Sequence, residues 1–363
     1  MIQLEIDGVP FEGFTQVTVT KSLGAASGAF SATATAIPGD PFPILINDPV
    51  RVLVDGEPVI SGYIEEVSPS HSETSHLIRI SGRDGTADFI DSSVGDISEI
   101  VPPISLAQVA RATLEGMGIK GVGVEDFANP EPFTKNDLVS AEVGETGIQF
   151  LEKYARKRGV LLTSNGEGDL VITRAGLERF PVALISRVAG NPSENNVLSG
   201  SASFNHAARF HSYQVVSQLN PAAEDMGADP FAVAGQAAEV VDGSIRTGRT
   251  TTIVAEEASD DAACSQRASW EANIKRANGT RATMVVAGFK AGGQLWRPNV
   301  LVQVENEWLA LGAEMLIKSV EYSFSDRGSL TTIEVVPPDA FTLNATREQR
   351  KAERESLGDT FTS

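Results

Sequence analysis

A single cysteine, Cys264, occurs in 363 residues, which excludes an internal disulfide and any multi-cysteine zinc site. Histidine is nearly as scarce, with His71, His76, His206 and His211 only. Neither pair has the i, i+4 spacing of a helical metal motif, and no Glu follows any of them as in H-E-x-x-H. The four therefore read as surface or interface side chains, and no metal or cofactor is expected, because a metal cage needs at least three convergent ligands. No run approaches the roughly 20 apolar residues of a membrane span, and the first residues lack the basic and apolar regions of a secretory signal. The chain is expected to have no membrane-spanning segment and to stay in the cytosol that makes it until it assembles. Aromatic residues are 6% of the chain, few for the exposed aromatic cluster of a carbohydrate-binding module.

Positive charge is also short, with 29 Lys and Arg against 48 Asp and Glu and a net charge of −19. A broad phosphate-gripping surface needs clustered cations, whereas an acidic wall suits a conduit that DNA slips through. Catalytic motifs are missing as well. Gly200-Ser201-Ala202 lacks the second glycine of a nucleophile elbow, and the glycine-rich residues 118–123 follow a helix and have no G-K-[ST]. Cys264 sits mid-helix on a small-residue face and reads as an inert thiol. Adjacent acids such as Glu65-Glu66, Glu256-Glu257 and Asp260-Asp261 do not face one another on a strand or helix. No catalytic residue is assigned.

What remains is a protein of two to four domains, rich in alternation of period two. Ile2, Leu4 and Ile6, then Val17 and Val19, then Val50, Val52 and Val54 before Asp55-Gly56, mark strands and hairpins. From about residue 101 the period changes. Ser105 caps a helix with Leu106, Val109, Ala110, Leu114 and Met117 on one face, and Thr146 with Gln149 has capping-box spacing before Ile148, Leu151, Tyr154 and Ala155. A hairpin over 160–174 follows. Residues 210–218 and 250–255 read as strands, 220–243 as a loop-rich insert, and 259–278 as a helix capped by Ser259 with Ala263, Trp270, Ile274 and Ala277 inward. Strands return over 283–287, 300–305, 316–325 and 330–336, and residues 344–363 form a polar tail.

Residues 47–59 align with 297–309. Each copy runs proline, alternating strand, acidic turn, strand, glycine, strand, so that Val50, Val52 and Val54 match Val300, Val302 and Val304 as the cores of two related β domains. The expected fold is mainly β with α+β insertions: two similar small β-barrels plus smaller α/β domains. Residues 1–100 form the first barrel, 101–195 an α+β domain, and 196–219 with 280–340 the second barrel. An inserted loop and helix region spans 220–279, and a polar tail spans 341–363.

Residues 80–93, I-S-G-R-D-G-T-A-D-F-I-D-S-S, close a strand and drop into a Gly/Asp corner. Gly82 and Gly85 permit positive φ or close backbone approach, Asp84 and Asp88 can cap N–H groups, and Arg83 can pin one of these carboxylates. This corner, the segment from Phe150-Leu151 to Gly159 with its hairpin, and the run from Trp296 through Leu316-Ile317 and Asp326-Arg327-Gly328 to Ile333 resemble, in that order, the contractile-tail baseplate hubs of Mu-type and P2-like phages. That family is related in fold to T-even phage hubs and to type VI secretion spikes. The resemblance implies a homotrimer whose paired β domains make a ring of six. Such a ring joins the hexameric tail tube protein to a central spike protein, touches other baseplate proteins and meets DNA only in transit, in the virion tail baseplate of a phage or tailocin made in the bacterial host cytoplasm. No spike β-helix follows residue 340, so the spike is expected to be a separate chain. The rival expectation is a peptidoglycan-degrading tail enzyme.

Overall fold

The computed structural model describes residues 1–11, 13–35, 43–95, 102–134, 139–188, 192–218, 234–254 and 261–341. The chain divides into two compact units, Met1–Ser201 with Ala282–Val335, and Ala202–Arg281 with Val336–Ser363.

The first unit opens with β1 (Ile2–Ile6), β2 (Val9–Phe11), β3 (Phe14–Ser22), β4 (Ala29–Thr35), β5 (Pro49–Val54), β6 (Glu57–His71) and β7 (His76–Asp84). Alternation places Val17 and Val19, Ile78 and Ile80, and Val50, Val52 and Val54 inside. The turns Asp7-Gly8 and Asp55-Gly56 carry positive φ at both residues, the backbone a two-residue hairpin requires.

Next come α1 (Ala87–Asp91), α2 (Leu106–Gly116), β8 (Val124–Asp126), α3 (Gly147–Arg158), β9 (Leu161–Ser164) and β10 (Leu170–Thr173). Ser105 caps α2 as expected, in a capping box with Gln108 that the sequence reading did not name, the expected capping box of Thr146 with Gln149 forms, and α3 stops at Gly159 with φ of 64°. Leu106, Val109, Ala110 and Leu114 of α2 share one core with Phe150, Leu151 and Tyr154 of α3 and with Phe89 and Leu170. Each large apolar side chain buried there contributes about 2 kcal/mol.

The chain continues through β11 (Glu178–Arg179), β12 (Leu184–Ser186) and β13 (Val197–Phe204) into the second unit, which holds β14 (Ser212–Gln218), β15 (Ala234–Val241), β16 (Thr250–Val254) and α4 (Asp261–Asn278). It returns through β17 (Thr280–Ala287), β18 (Lys290–Ala291), β19 (Gln294–Leu295), β20 (Val300–Asn306), β21 (Leu311–Ser325) and β22 (Gly328–Val336). Residues 210–218, expected in the second β domain, instead form a separate sheet in the order β15-β14-β16. Residues 234–241, expected as loop, are one of its strands. Their sequence AGQAAEVV shows no bulky alternation, so the strand is specified by its neighbour β14, where Tyr213 and Val215 are buried. Cys264, Ala268, Ala272 and Ala277 of α4 are buried, and Ile274 is half-buried. Ser259, the side chains of Ala263 and Trp270, and residues 344–363 lie outside the described residues.

The protein is mainly β with helical insertions. The ladders among the described residues run as one 14-stranded sheet, in the order β13-β17-β22-β21-β3-β4-β7-β6-β5-β1-β2, with β20 on β21 and β11 and β12 on β20. Val300, Val302 and Val304 are 3%, 1% and 0% exposed, against 4%, 0% and 0% for Val50, Val52 and Val54. Register moves the correspondence by two residues. Val50 opposes Gly62 and Val302 opposes Met315, while Asn47 N–H donates to Ile64 O and Asn299 N–H to Ile317 O. Val50 is thus the counterpart of Val302 and Val52 of Val304. Because side chains alternate with period two, a two-residue slip leaves every one on its face, which is why the alignment by sequence was inward-correct.

Candidate functional site

The Gly/Asp corner folds around close backbone contacts. A Cβ on Gly82 would stand 2.1 Å from Tyr63 O, and one on Gly62 would stand 1.9 Å from Arg83 O, so only glycine fits where β6 bulges against β7. Arg83 pairs with Glu65 on β6 and Asp91 on α1, and not with Asp84 or Asp88 as expected. Adjacent strand residues point to opposite faces, which removes Asp84, and Asp88 lies exposed in the first turn of α1. Hydrogen bonds donated to Glu65 first and then to Asp91 hold the guanidinium above its ordinary pKa.

Asp84 points inward and is 1% exposed. Its Oδ2 accepts from Gly28 N at 2.6 Å, Lys21 Nζ at 2.8 Å and Ser164 Oγ at 2.6 Å. Lys21 also reaches Ser164 Oγ at 2.7 Å and Asn165 O at 3.0 Å. Burial pushes the Lys21 pKa down, and the Asp84 charge opposes that shift. Thr86 Oγ1 donates to Ala26 O at 2.7 Å. These buried contacts fasten β3, β7 and β9 together. Neither Lys21 nor Ser164 was singled out from sequence, yet one signal was there: Lys21 continues the inward parity of Val17 and Val19.

The other candidates remain apart. His71 and His76 face each other across the β6–β7 hairpin with ring centroids 6.0 Å apart, and His211 Nδ1 meets Ile245 O at 2.9 Å. Among the described residues no three His, Cys, Asp or Glu side chains converge as a metal cage, and no helix is long and apolar enough to cross a membrane. A cleft of about 390 Å³ is lined by Arg51, Tyr63, Lys120 and Glu167 among others, with Arg51 already paired to Glu167 at 2.8 Å.

The sheet edges are the more informative surface. β21 spans 15 residues, about 50 Å at strand rise, and on the edge away from β22 it carries two strands end to end. β20 pairs with Leu311 through Leu316, and β3 pairs antiparallel with Ser319 through Phe324. β6, its 15-residue counterpart, carries only β5, which pairs with Glu57 through Tyr63. Ile64 still bonds to Asn47 and Asp48 there, and among the described residues nothing pairs with that edge from Glu65 to His71. β13, which holds the place beside β17 that β3 holds beside β4, ends the sheet and has one neighbour among the described residues.

Three family models match the chain: Mu phage baseplate assembly protein GpP-like, N-terminal, over residues 1–84; baseplate hub protein gp44-like, second domain, over 86–174; and Mu phage baseplate assembly protein GpP, fourth domain, over 260–344. The chain is 26% identical over 357 residues to baseplate hub protein gp44 of Escherichia phage Mu, covering 96% of this chain and 92% of that protein. The crystal structure of the 43 kDa tail protein of prophage MuSo2 from Shewanella oneidensis is 32% identical with a TM-score of 0.81, over 94% of this chain and 99% of that one. A tail protein of Neisseria meningitidis MC58 shares the fold at 21% identity and a TM-score of 0.76, over 93% of this chain and 98% of that one. With full-length relatives in sequence and in fold, the chain belongs to the Mu-type phage baseplate hub family.

Proposed function

We propose that this baseplate hub protein works as a homotrimeric symmetry adaptor. Three subunits, each with two related β regions, make a six-fold-like ring that meets a hexameric tail tube on one side and a three-fold spike on the other, among the other baseplate proteins. The role is mechanical, with DNA passing through the bore during ejection.

The observation that carries this reading is the unmatched pair of edges. Inside one chain, β3 of the first β region adds to β21 of the second. The same junction repeated between chains would add β13 of one subunit to the open stretch of β6 in the next, since β13 corresponds to β3 and β6 to β21. Unpaired strand edges are templates for addition, and β13 carries Leu198 and Phe204 exposed at 62% and 56%. A head-to-tail contact of this kind gives a closed ring if its rotation closes, and three chains of two regions supply six positions.

Light scattering tests it. A trimer is expected for the wild type, alone at high concentration or with its spike, and a shift to monomer for Leu198→Lys with unchanged melting. A strict monomer or a dimer under all conditions would end the ring reading. A zymogram is expected to stay blank.

A further inference from the structure

The internal junction also assigns partners to apolar side chains that one subunit leaves in solvent. In the first β region the β5–β6 turn is polar, Asp55-Gly56, and it is occupied within the chain: Lys290 Nζ lies 2.6 Å from Glu57 Oε1 and 3.4 Å from Asp55 O. Lys290 belongs to the segment that leads from β17 to Asn299. The turn of one β region thus meets the segment preceding β20 in the other.

That segment has a counterpart. Asn47 and Asn299 are both left-handed, with φ of 71° and 67°, and each donates its N–H to a carbonyl of the long strand beside it. Three residues earlier stand Ile44 and Trp296, buried at 2% and 1%. Leu45 and Ile46 therefore occupy the places of Arg297 and Pro298, but they are 66% and 57% exposed. The β20–β21 turn, counterpart of Asp55-Gly56, is longer and carries Trp308, 86% exposed. The counterparts of the two segments that meet at the internal junction, the β20–β21 turn and the segment before β5, thus each carry apolar side chains in the open.

We infer that Trp308 of one subunit packs on Leu45 and Ile46 of the next, where the second copy repeats the meeting of the β5–β6 turn with the segment before β20. The inference rests on the ring reading and deepens it, because it names the side chains that hold the junction between subunits. An aromatic anchor in an apolar seat dominates association of this type.

The test uses the full chain in a Cys264→Ser background, carrying Leu45→Cys and Trp308→Cys together. Oxidation is expected to produce covalently linked trimers on a non-reducing gel, and neither single variant should do so. Separately, Trp308→Asp is expected to raise the trimer dissociation constant at least tenfold with an unchanged monomer melting temperature, since Trp308 contacts solvent in the monomer. If the wild type is trimeric while the double-cysteine chain gives no linked species and Trp308→Asp dissociates like wild type, the contact is wrong and the ring stands. If no trimer forms under any condition, both fall.

Discussion

Lys21 on β3 and Asp84 at the end of β7 are 63 residues apart in sequence, yet their charged atoms sit 2.8 Å apart, with side chains 10% and 0% exposed. Asp84 Oδ1 takes no hydrogen bond from the protein, so the carboxylate relies on what reaches Oδ2. Removing Lys21 leaves a buried charge with two weaker partners. Lys21→Met is expected to cost about 3–5 kcal/mol, as for other broken buried pairs. Lys21→Met with Asp84→Asn should cost less than the sum of the two single changes. Urea unfolding of the four proteins measures the coupling, and strict additivity would show that the pair contributes nothing.

Val52 and Val302 are 0% and 1% exposed in the two β regions. Val52→Asp or Val302→Asp buries an unpaired carboxylate, which costs several kcal/mol. Each variant is expected to lose its cooperative melt or to appear insoluble, and Val→Thr at the same sites should retain fold with a lower melting temperature. A melt unchanged by either aspartate would place the residue outside the core.

The second unit has an acid-sensitive pair. Burial raises the Asp242 carboxyl pKa, but hydrogen bonds from Ser244 and Arg209 and the charge of Arg276 outweigh it and leave the carboxyl well below the usual range. A carboxylate depressed in the folded state contributes stability above its unfolded value near ~4, and that stability is lost as pH falls through the folded value. Asp242→Asn is therefore expected to destabilise β14 and β15 at pH 7 by about 3 kcal/mol, the scale of a broken buried pair. The gap from wild type should narrow below about pH 4. Hydrogen exchange of those strand amides across pH 3–7 reads the difference, and a gap that widens in acid contradicts the assignment.

Charge sets the expectation for DNA. With 48 acidic and 29 basic residues, the assembled protein should not shift duplex DNA on a gel at physiological salt, because affinity scales with the phosphates neutralised. A wall that repels phosphate keeps a duplex sliding. A shift with steep salt dependence would mean that Lys and Arg line the passage.

Local chemistry carried much of this molecule in the sequence. Alternation fixed which residues of β5 and β20 face inward, Asp-Gly pairs fixed hairpins, and Ser105 and the Thr146–Gln149 pair fixed helix starts, because each is decided within a few residues by sterics and hydrogen bonding. Tertiary structure decided what depends on distant partners. The Arg83–Glu65 pair, the Lys21–Asp84 fastener, the strand at 234–241 and the junction of β3 with β21 all join residues of different strands. Their energies come from burial and from edges meeting edges, which a one-dimensional pattern does not contain. The same reason explains the two-residue slip between the copies: period two fixes the face of a strand, and only its neighbours fix the register.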